Sequence, residues 1–379
     1  MSLSKKISQH WLAIQRGLYP WLEVELGKLS EREKQLVATL ELVKLEGLVP
    51  SSGYGCVGRP EQSRRALARA FVAKAIYNLE TTRQLLDRLG RDATMRRICG
   101  WEPGSKLPSE ATFSRAFGEF AKSQLAERVH AKLVETYQSG RVVGHISRDS
   151  TAIEARERGV KKKKKETPTA EEKAKEKTKK KAEKARRKES GEGPTPKEQT
   201  RLERQPSMSL AEMQADLPRD CDWGTKRNSQ GRASSWLGYK FHVDVADGGI
   251  PISAMLTSAS VHDSQVAIPL ATQTAQRVNS LYDLMDKGYD AEPIRQHSRS
   301  LGHVPIIDHQ RRAGKEPIEF APHEAQRYKE RTTVERIYAR LKDEFGGRGI
   351  RVRGATKVMA SLMFGLLCIT ADQLLRLVR

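Results

Sequence analysis

Apolar residues recur at intervals of three and four along most of residues 1–140, which is the spacing of helices with one buried face. Ser30 followed by Glu33 has the form of a capping box and predicts that a helix begins there. Further helical patterns, punctuated by glycine and proline, extend from Ala66 to Tyr137. The pattern therefore predicts an all-helical N-terminal domain over residues 1–140.

One helix of this region admits two interpretations. The segment Ser109–Phe117 follows a turn and presents Arg115 beside small hydroxyl residues, as the recognition helix of a helix-turn-helix unit does. The same spacing suits an ordinary bundle helix with Phe113 and Phe117 inside. The sequence leaves both open, so DNA binding by this domain is an expectation.

After residue 140 the pattern changes from helical spacing to alternation. The run Trp236–Val245 alternates, and a turn containing two glycines leads from it into a second apolar run, Ile250–Leu256, which predicts a β-hairpin. A shorter β-prone run begins at Val142 and ends on Asp149. We therefore expect residues 141–379 to form an α/β domain with a mixed sheet.

Residues from about 157 to 220 interrupt this domain. They begin with Lys161–Lys165 and continue through Lys, Glu and Ala repeats to a Gly- and Pro-rich stretch at 191–196. Such low hydrophobicity and dense charge bury too little apolar surface to offset the entropy of ordering. The composition predicts a mobile basic insertion with some nascent helix, serving either phosphate contact or solubility.

The longest apolar stretch runs from Val358 to Ala371 and is too short and interrupted to span a bilayer. It predicts a buried C-terminal helix whose packing residues include Leu362, Leu366, Ile369 and Leu374. The N-terminus has no signal-peptide core. The four cysteines lack the spacing of a zinc site or a disulfide framework. We expect no membrane association and a cytoplasmic protein.

Positive charge is spread over the whole chain. Lys and Arg number 68 against 47 acidic residues, a net charge of +21. Residues 156–206 contain 20 basic and 10 acidic side chains, so about half of the excess lies elsewhere. Such a chain should bind polyanions through counterion release. Charge alone does not distinguish DNA from RNA or a membrane surface.

The segment from Tyr328 to Lys342 combines one carboxylate with three side chains that bind phosphate. On a helix with about 100° per residue, Arg331, Glu335 and Lys342 lie within about 60° of Tyr328, all on one side. The opposite face is apolar and consists of Val334, Ile337, Leu341 and Phe345. This arrangement suits an acid that holds a metal ion beside groups that hold nucleic-acid phosphates. A solvated helix face can have the same spacing.

Two aspartates upstream also end apolar runs. Asp149 is followed by two small hydroxyl residues, and Asp286 is followed by Lys-Gly-Tyr. Aspartates in such places are also common turn formers and helix caps. Either residue alone is therefore a weak indication of a metal site.

The four residues Tyr328, Arg331, Glu335 and Lys342 resemble the Tyr-Arg-Glu-Lys signature of DDE-type transposases from bacterial insertion sequences, at every spacing. In that family the glutamate is the last of three metal-binding acids. The N-terminal region is similar in general character to the helical domain of the same branch. No single residue in it carries a specific match.

The two upstream aspartates match the other motifs of that family. Asp149-Ser-Thr looks like the first-strand motif, and Asp286-Lys-Gly-Tyr is similar to the second, Asp-x-Gly-Tyr. The neighbouring aspartates lack this tail and are less favoured; they are Asp263, Asp283 and Asp290. The resemblance implies a ribonuclease-H-like catalytic domain over residues 141–379.

The resemblance also implies a chemistry. Asp149 would be shared between two Mg²⁺ ions, with Mn²⁺ as a substitute, and Asp286 and Glu335 would each hold one ion. Arg331 and Lys342 would contact phosphates beside the scissile bond, and Tyr328 would donate its hydroxyl to a phosphate. A half-buried position for Tyr328 at the start of the helix is the structural alternative.

The expected function is that of a transposase. It would bind the terminal repeats of an element, cleave phosphodiester bonds, and join the freed 3′-hydroxyls to target DNA as a homodimer on DNA. Two alternatives remain: a metal-dependent nuclease without strand transfer, and a domesticated DNA-binding protein that has lost activity. An intact set of three acids favours an enzyme.

Four further side chains have a possible chemical role. His242 and His262 lie near strands but lack a partner at metal-ligand spacing. Trp223 and Trp236 are available to stack on an extruded base, although packing would also explain both.

Overall fold

The computed structural model describes residues 3–49, 62–102, 104–159, 199–227, 231–309 and 319–378. Within these residues the chain is a mixed α/β protein, with helices in the N-terminal region and a six-stranded mixed sheet after it. The change from helix to strand falls between Gln138 and Val142, close to the predicted position.

The N-terminal helices are α1 (Leu3–Ala13), α2 (Tyr19–Leu26), α3 (Glu31–Val43), α4 (Arg64–Ile76), α5 (Thr82–Arg91), α6 (Ala93–Cys99), α7 (Glu110–Lys122) and α8 (Leu125–Gln138). A π-helical segment, Ile14–Leu18, joins α1 to α2. At α3 the Ser30 hydroxyl accepts the Glu33 N–H, and the Ser30 N–H donates to the Glu33 carboxylate at 2.6 Å. The predicted capping box is confirmed.

Helix α7 packs as a bundle helix. Phe113 and Phe117 are buried, with ring centroids 6.0 and 4.9 Å from that of Phe71 on α4. Arg115 is exposed on the other face. The packing interpretation of this helix is confirmed, and its contact with DNA stays a prediction.

The strands are β1 (Val142–Glu154), β2 (Asp222–Arg227), β3 (Ala233–Ala246), β4 (Ile250–Ser258), β5 (Asn279–Met285) and β6 (Val304–Ile307). They are ordered β4-β3-β1-β5-β6, and β2 pairs with the first half of β3. Strands β1, β3 and β4 are antiparallel neighbours, whereas β1, β5 and β6 are parallel. The predicted β3–β4 hairpin is confirmed.

Strand β1 is longer than the sequence predicted. The β-prone run was expected to end at Asp149, but the strand continues to Glu154, so Asp149 lies in its interior. The expectation was wrong because β3 provides a partner for every residue from Ile146 to Glu154. Pairing with a long neighbour outweighed the weak intrinsic strand propensity of the residues after Asp149.

The insertion predicted over 157–220 does not reach residue 220. Helices α9 (Arg201–Arg204) and α10 (Leu210–Asp216) pack on the sheet side through buried Met213. This boundary was wrong because apolar residues recur between 202 and 217 and offset the cost of ordering. Residues 160–198, which include the lysine run, lie outside the described residues.

The remaining helices are α11 (Ser264–Ala275), α12 (Glu292–Ser300), α13 (Pro322–Tyr328), α14 (Thr333–Asp343) and α15 (Ala355–Arg376). Helix α15 is long and apolar enough to cross a membrane by length and composition, yet 83% of its apolar window is buried inside the protein. The four predicted packing residues are all fully buried. The prediction of a buried C-terminal helix is confirmed.

Helix α15 joins the two halves of the chain. It packs against α3, α4, α7 and α8 of the N-terminal region and also against β4 and α14. One hydrophobic cluster therefore runs from Ile7 to Leu375 and includes residues of the sheet. Near the predicted boundary at residue 140 the secondary structure changes from helix to strand, but the residues on both sides pack into one hydrophobic core.

Candidate functional site

Asp149 lies in the middle of β1 with only 18% of its side chain exposed. The Ser150 N–H donates to its Oδ1 at 2.7 Å. Burial raises the pKa of Asp149 to about 7; nearby Asp286 and Asp263 also raise it, while the Ser150 N–H and Arg331 oppose the shift. A carboxylate in this position is poorly compensated, and a cation beside it would stabilise the charged form.

Asp286 directly follows β5, the parallel neighbour of β1. The register pairs Ser147 with Leu284, so the same offset carried two residues further sets Asp286 level with Asp149. Neighbouring strands lie about 4.8 Å apart. The Asp286 carboxylate also accepts the Gly288 N–H at 2.8 Å and so caps a 3₁₀ turn. The interpretation of Asp286 as a turn cap is confirmed, and its role as a partner of Asp149 stays a prediction.

The helix predicted through Tyr328–Lys342 is interrupted. Helix α13 ends at Tyr328, a 3₁₀ turn covers Lys329–Thr332, and α14 begins at Thr333. The prediction of one continuous helix was wrong because the 3₁₀ turn is bonded to β1. The Ser147 hydroxyl donates to the Glu330 carbonyl at 3.0 Å. The apolar face is as predicted, with all four of its residues buried.

Arg331 lies between the first and the third predicted acids. Its guanidinium is 2.6 Å from Glu335 Oε1 and 3.8 Å from Asp149 Oδ2. Glu335 is half exposed, so it can turn toward solvent or toward β1. Within the described part of the chain, no three His, Cys, Asp or Glu side chains are grouped so that they could hold one ion. The acids are linked here through an arginine.

Tyr328 lies beside the two aspartates. Its ring centroid is 4.8 Å from that of Phe320, and the Arg331 guanidinium carbon is 5.9 Å from the Tyr328 centroid. Burial raises the pKa of Tyr328 to about 12, with Asp286 and Asp149 contributing and Arg331 opposing. The phenol therefore stays protonated at neutral pH and is available as a hydrogen-bond donor.

Lys342 lies on the far side of Asp149. Its ammonium donates to Thr151 Oγ1, two residues along β1, at 2.7 Å. Burial lowers the pKa of Lys342, and the like charges of Arg348 and Lys226 lower it further. The residues of the helical motif thus lie along β1 from Asp149 to Thr151, and their role as phosphate contacts stays a prediction.

Tyr338 is a residue of this site that the sequence reading missed. Its buried hydroxyl donates to the backbone carbonyl of Asp149 at 2.5 Å and accepts the Val243 N–H at 3.1 Å. This side chain fixes α14 against β1 at the position of the carboxylate. The signal was a polar-tipped aromatic beside the apolar helix face, next to Val334.

Under the activity that the resemblance implies, Tyr338→Phe should lower the rate of DNA cleavage about 10- to 100-fold with little change in DNA affinity, because a misplaced Asp149 strand affects the reacting geometry. The free energy of unfolding should fall by about 1–3 kcal/mol, since the Val243 N–H loses its acceptor. Cleavage rates, binding titrations and urea denaturation check this. Tyr282→Phe is the matched control, because no hydrogen bond from that hydroxyl is seen among the described residues. Equal rates for both variants would reject the positioning role.

The less favoured aspartates separate into two kinds. Asp263 faces the site: its carboxylate is 3.0 Å from the Lys240 ammonium. Burial raises its pKa, but His242 and Lys240 lower it more, so the net shift is downward. Asp283 and Asp290 are committed elsewhere and pair with His303 and Arg295 respectively. Asp263 is therefore the one of the three that adds negative charge beside Asp149.

The two histidines show no metal-site geometry. His242 is fully buried, bonds to Thr257 Oγ1 at 2.9 Å, and burial lowers its pKa to about 4. His262 bonds to Ser264 Oγ. Trp236 donates its indole N–H to the Tyr239 carbonyl, whereas Trp223 is 61% exposed. Packing thus accounts for Trp236, but it does not account for the exposed Trp223.

The raised pKa of Asp149 has a consequence for stability. Its value of about 7 exceeds the ordinary 3.8, so between these pH values the folded state holds more protons than the unfolded state. The free energy of unfolding should therefore fall as pH rises from about 4 to about 7 and stay reduced above that. Asp149→Asn removes this loss.

We accordingly expect Asp149→Asn to raise the melting temperature relative to wild type at pH 8 without divalent ions, and the difference to shrink toward pH 4. Thermal denaturation at the two pH values measures it. Added Mg²⁺ should stabilise the wild type more than the variant. An unchanged or lower melting temperature of the variant at pH 8 contradicts the assigned burial.

Comparison with known families agrees with this geometry. Residues 144–371 match the family described as Transposase DDE domain, and residues 25–119 match Transposase domain (DUF772). The first match covers more than half of the chain and includes all six predicted site residues. The chain belongs to the transposase DDE domain family. No curated protein and no solved structure matches the chain.

Proposed function

We propose that this transposase is of the Tyr-Arg-Glu-Lys branch, cleaves DNA at the ends of its element, and joins the 3′-hydroxyls to target DNA. The observation that carries the proposal is the position of Asp286 directly after β5, the parallel neighbour of the Asp149 strand, with Arg331 reaching from Glu335 to Asp149. Family membership implies a DNA substrate.

The sheet supports a ribonuclease-H-like fold for the catalytic domain. Three long antiparallel strands followed by two parallel strands, in the order β4-β3-β1-β5-β6, are what the family resemblance implies. This topology sets Asp149 on the central strand and Asp286 at the end of its neighbour. Helix α14 packs against β1.

The donor chemistry fits divalent cations. Carboxylate oxygens are hard ligands suited to Mg²⁺, and burial, with the nearby carboxylate of Asp286, raises the pKa of Asp149, so a bound cation would stabilise its charged form. In the proposal Asp149 is shared by two ions, and Asp286 and Glu335 hold one each. When bound, such ions stabilise the attacking and leaving oxygens of the phosphodiester.

Arg331 would exchange its partner Glu335 for a phosphate when the site binds its ligands. For Glu335 to act as a ligand, its ion pair with Arg331 must open, and the guanidinium is then free to bind a phosphate beside the scissile bond. Lys342 and Tyr328 would hold phosphates on either side of Asp149. Ion binding and DNA binding would thus promote each other.

The paired ends of an element must be held together during transfer, so we propose a homodimer in the DNA complex. The reaction would take place at the nucleoid in the bacterial cytoplasm. Inverted repeats bracketing the gene, with short direct duplications outside them, would support this assignment.

The test uses the purified chain with a labelled duplex carrying the DNA end that flanks its gene. Incubation with Mg²⁺ or Mn²⁺ and a plasmid target should give nicked ends and then joined products on a denaturing gel. Hydrolysis without joining would support the nuclease alternative. Binding without cleavage would support the silent DNA-binding alternative, and neither outcome is compatible with the proposal.

A further inference from the structure

A basic groove lies outside the site described above. It has a volume of about 490 Å³ and runs between α4, α7 and the segment 345–357. We call it the 345–357 groove. Its basic side chains are Lys74, Arg156, Arg351, Arg353 and Lys357. Aromatic rings, including those of Phe71 and Phe117, form part of its wall.

The positive charge of the groove is only partly neutralised. Its two acids are engaged: Glu80 pairs with Arg351 at 2.9 Å, and Glu110 lies 3.5 Å from Arg83. The other exposed cations of the groove are Arg156, Arg353 and Lys357. Among the described residues none of these three forms an ion pair. A groove that keeps exposed cations without acid partners is suited to a polyanion.

The groove lies beyond the C-terminal end of α14, near the end of β1. Arg156, one of its exposed cations, follows β1 by two residues. The segment after α14 is held at the same place, because the Gly354 N–H donates to the Glu157 carboxylate at 3.1 Å. Arg348 of this segment pairs with Asp343, so the unpaired charge lies in the groove itself.

Helix α7 borders the groove on the other side. Ser114 of this helix lines it, and a Cβ built at Gly118 would lie 3.9 Å from the Lys357 side chain. The N-terminal helices therefore form part of the groove wall, and the exposed cations of the groove come from the catalytic half of the chain.

We infer that the 345–357 groove binds the phosphate backbone of the element-end duplex at a distance from the cut, with Arg353 and Lys357 as its main contacts. The inference rests on the proposed function, which supplies DNA as the polyanion. An acidic protein is the less favoured occupant, because the groove lies near the end of β1 in a chain whose family implies a DNA substrate.

The groove and the proposed cleavage site lie at opposite ends of α14. Glu335 is near the start of this helix, whereas the segment 345–357 follows its end. The phosphates that the groove contacts should therefore differ from those beside the scissile bond.

The test compares two double variants of the full chain. Arg353→Ala/Lys357→Ala removes two groove charges, and Arg16→Ala/Lys28→Ala removes two exposed charges elsewhere. Binding of the terminal duplex is titrated at several salt concentrations without divalent ions, so no cleavage occurs. The slope of log affinity against log salt concentration should be smaller by about two for the groove variant than for wild type. The control variant should have the wild-type slope.

Phosphate-ethylation interference then locates the contact. Ethylation of phosphates away from the cut should weaken wild-type binding and leave the groove variant unaffected. Equal slopes for the groove variant and wild type, equal losses in both variants, or interference confined to the cut would overturn the inference. If wild type shows no salt-dependent binding of the duplex, the proposed function itself fails. Matching melting temperatures confirm that both variants fold.

Discussion

Asp149→Asn, Asp286→Asn and Glu335→Gln should each reduce Mg²⁺-dependent cleavage and joining by at least about 1,000-fold while DNA binding is retained. Each change keeps the size of the side chain but removes a charged oxygen ligand. Loss of a bound ion removes several kcal/mol of transition-state stabilisation, and about 4 kcal/mol corresponds to a thousandfold in rate. Gel assays of nicked and joined products, with binding titrations alongside, measure both quantities.

Glu344→Gln is the matched control for these variants. Glu344 follows α14, as an acid turned away from β1, where it pairs with Arg340. It should keep at least half of the wild-type cleavage rate. If a variant of any of the three proposed ligands still joins DNA ends, that residue is not part of the site. An equal loss of the cleavage rate in the control would point to a fold defect.

The largest expected effect on stability lies one residue before the proposed ligand. Arg148 and Asp244 form a fully buried bidentate pair, with nitrogen–oxygen distances of 2.8 and 2.7 Å. Thr274 Oγ1 donates to the same carboxylate at 2.6 Å, so the pair ties β1 and β3 to α11. Arg148→Met or Asp244→Asn should lower the free energy of unfolding by about 3–5 kcal/mol, because each leaves a buried charge without its partner.

Urea denaturation of the single and double variants checks this prediction. Arg148→Met/Asp244→Leu replaces the whole pair and should be less destabilised than the sum of the single changes. Arg299→Ala, which breaks an exposed ion pair with Glu292, should cost less than about 1 kcal/mol. Additive losses at the buried pair would show that the two charges do not depend on each other.

Much of the fold could be predicted from local patterns. Helical spacing, the capping box at Ser30 and the β3–β4 hairpin are encoded by neighbouring residues, and each is confirmed. The length of β1 could not be predicted because it depends on pairing with β3, more than 80 residues away in sequence. The same limit applies to the insertion, whose last part is ordered by packing through Met213.

The candidate site shows the same division. Spacing alone set Arg331 and Glu335 on one face, and the structure places both beside β1. The 3₁₀ turn at Lys329–Thr332 and the hydroxyl bonds of Tyr338 required tertiary contacts that spacing does not reveal. The ion pair between Arg331 and Glu335 was also absent from the sequence reading, which assigned the two residues separate partners.

Under the proposed function, that ion pair would keep the site incomplete until DNA and ions are bound. As long as Arg331 holds Glu335, the third proposed ligand is engaged and the phosphate-binding guanidinium is occupied. A phosphate that takes Arg331 would release Glu335 for a cation. The site would then be completed only when both DNA and ions are bound.

A structure of the chain with Mn²⁺ and its terminal duplex would show whether the three acids hold two ions. We predict two anomalous peaks about 3.5–4 Å apart, with Asp149 touching both and Asp286 and Glu335 touching one each. Arg331 should have left Glu335 for a phosphate. Peaks that lack Asp149 as a ligand, or an Arg331–Glu335 pair that persists beside bound DNA and metal, would rule out the proposed metal site.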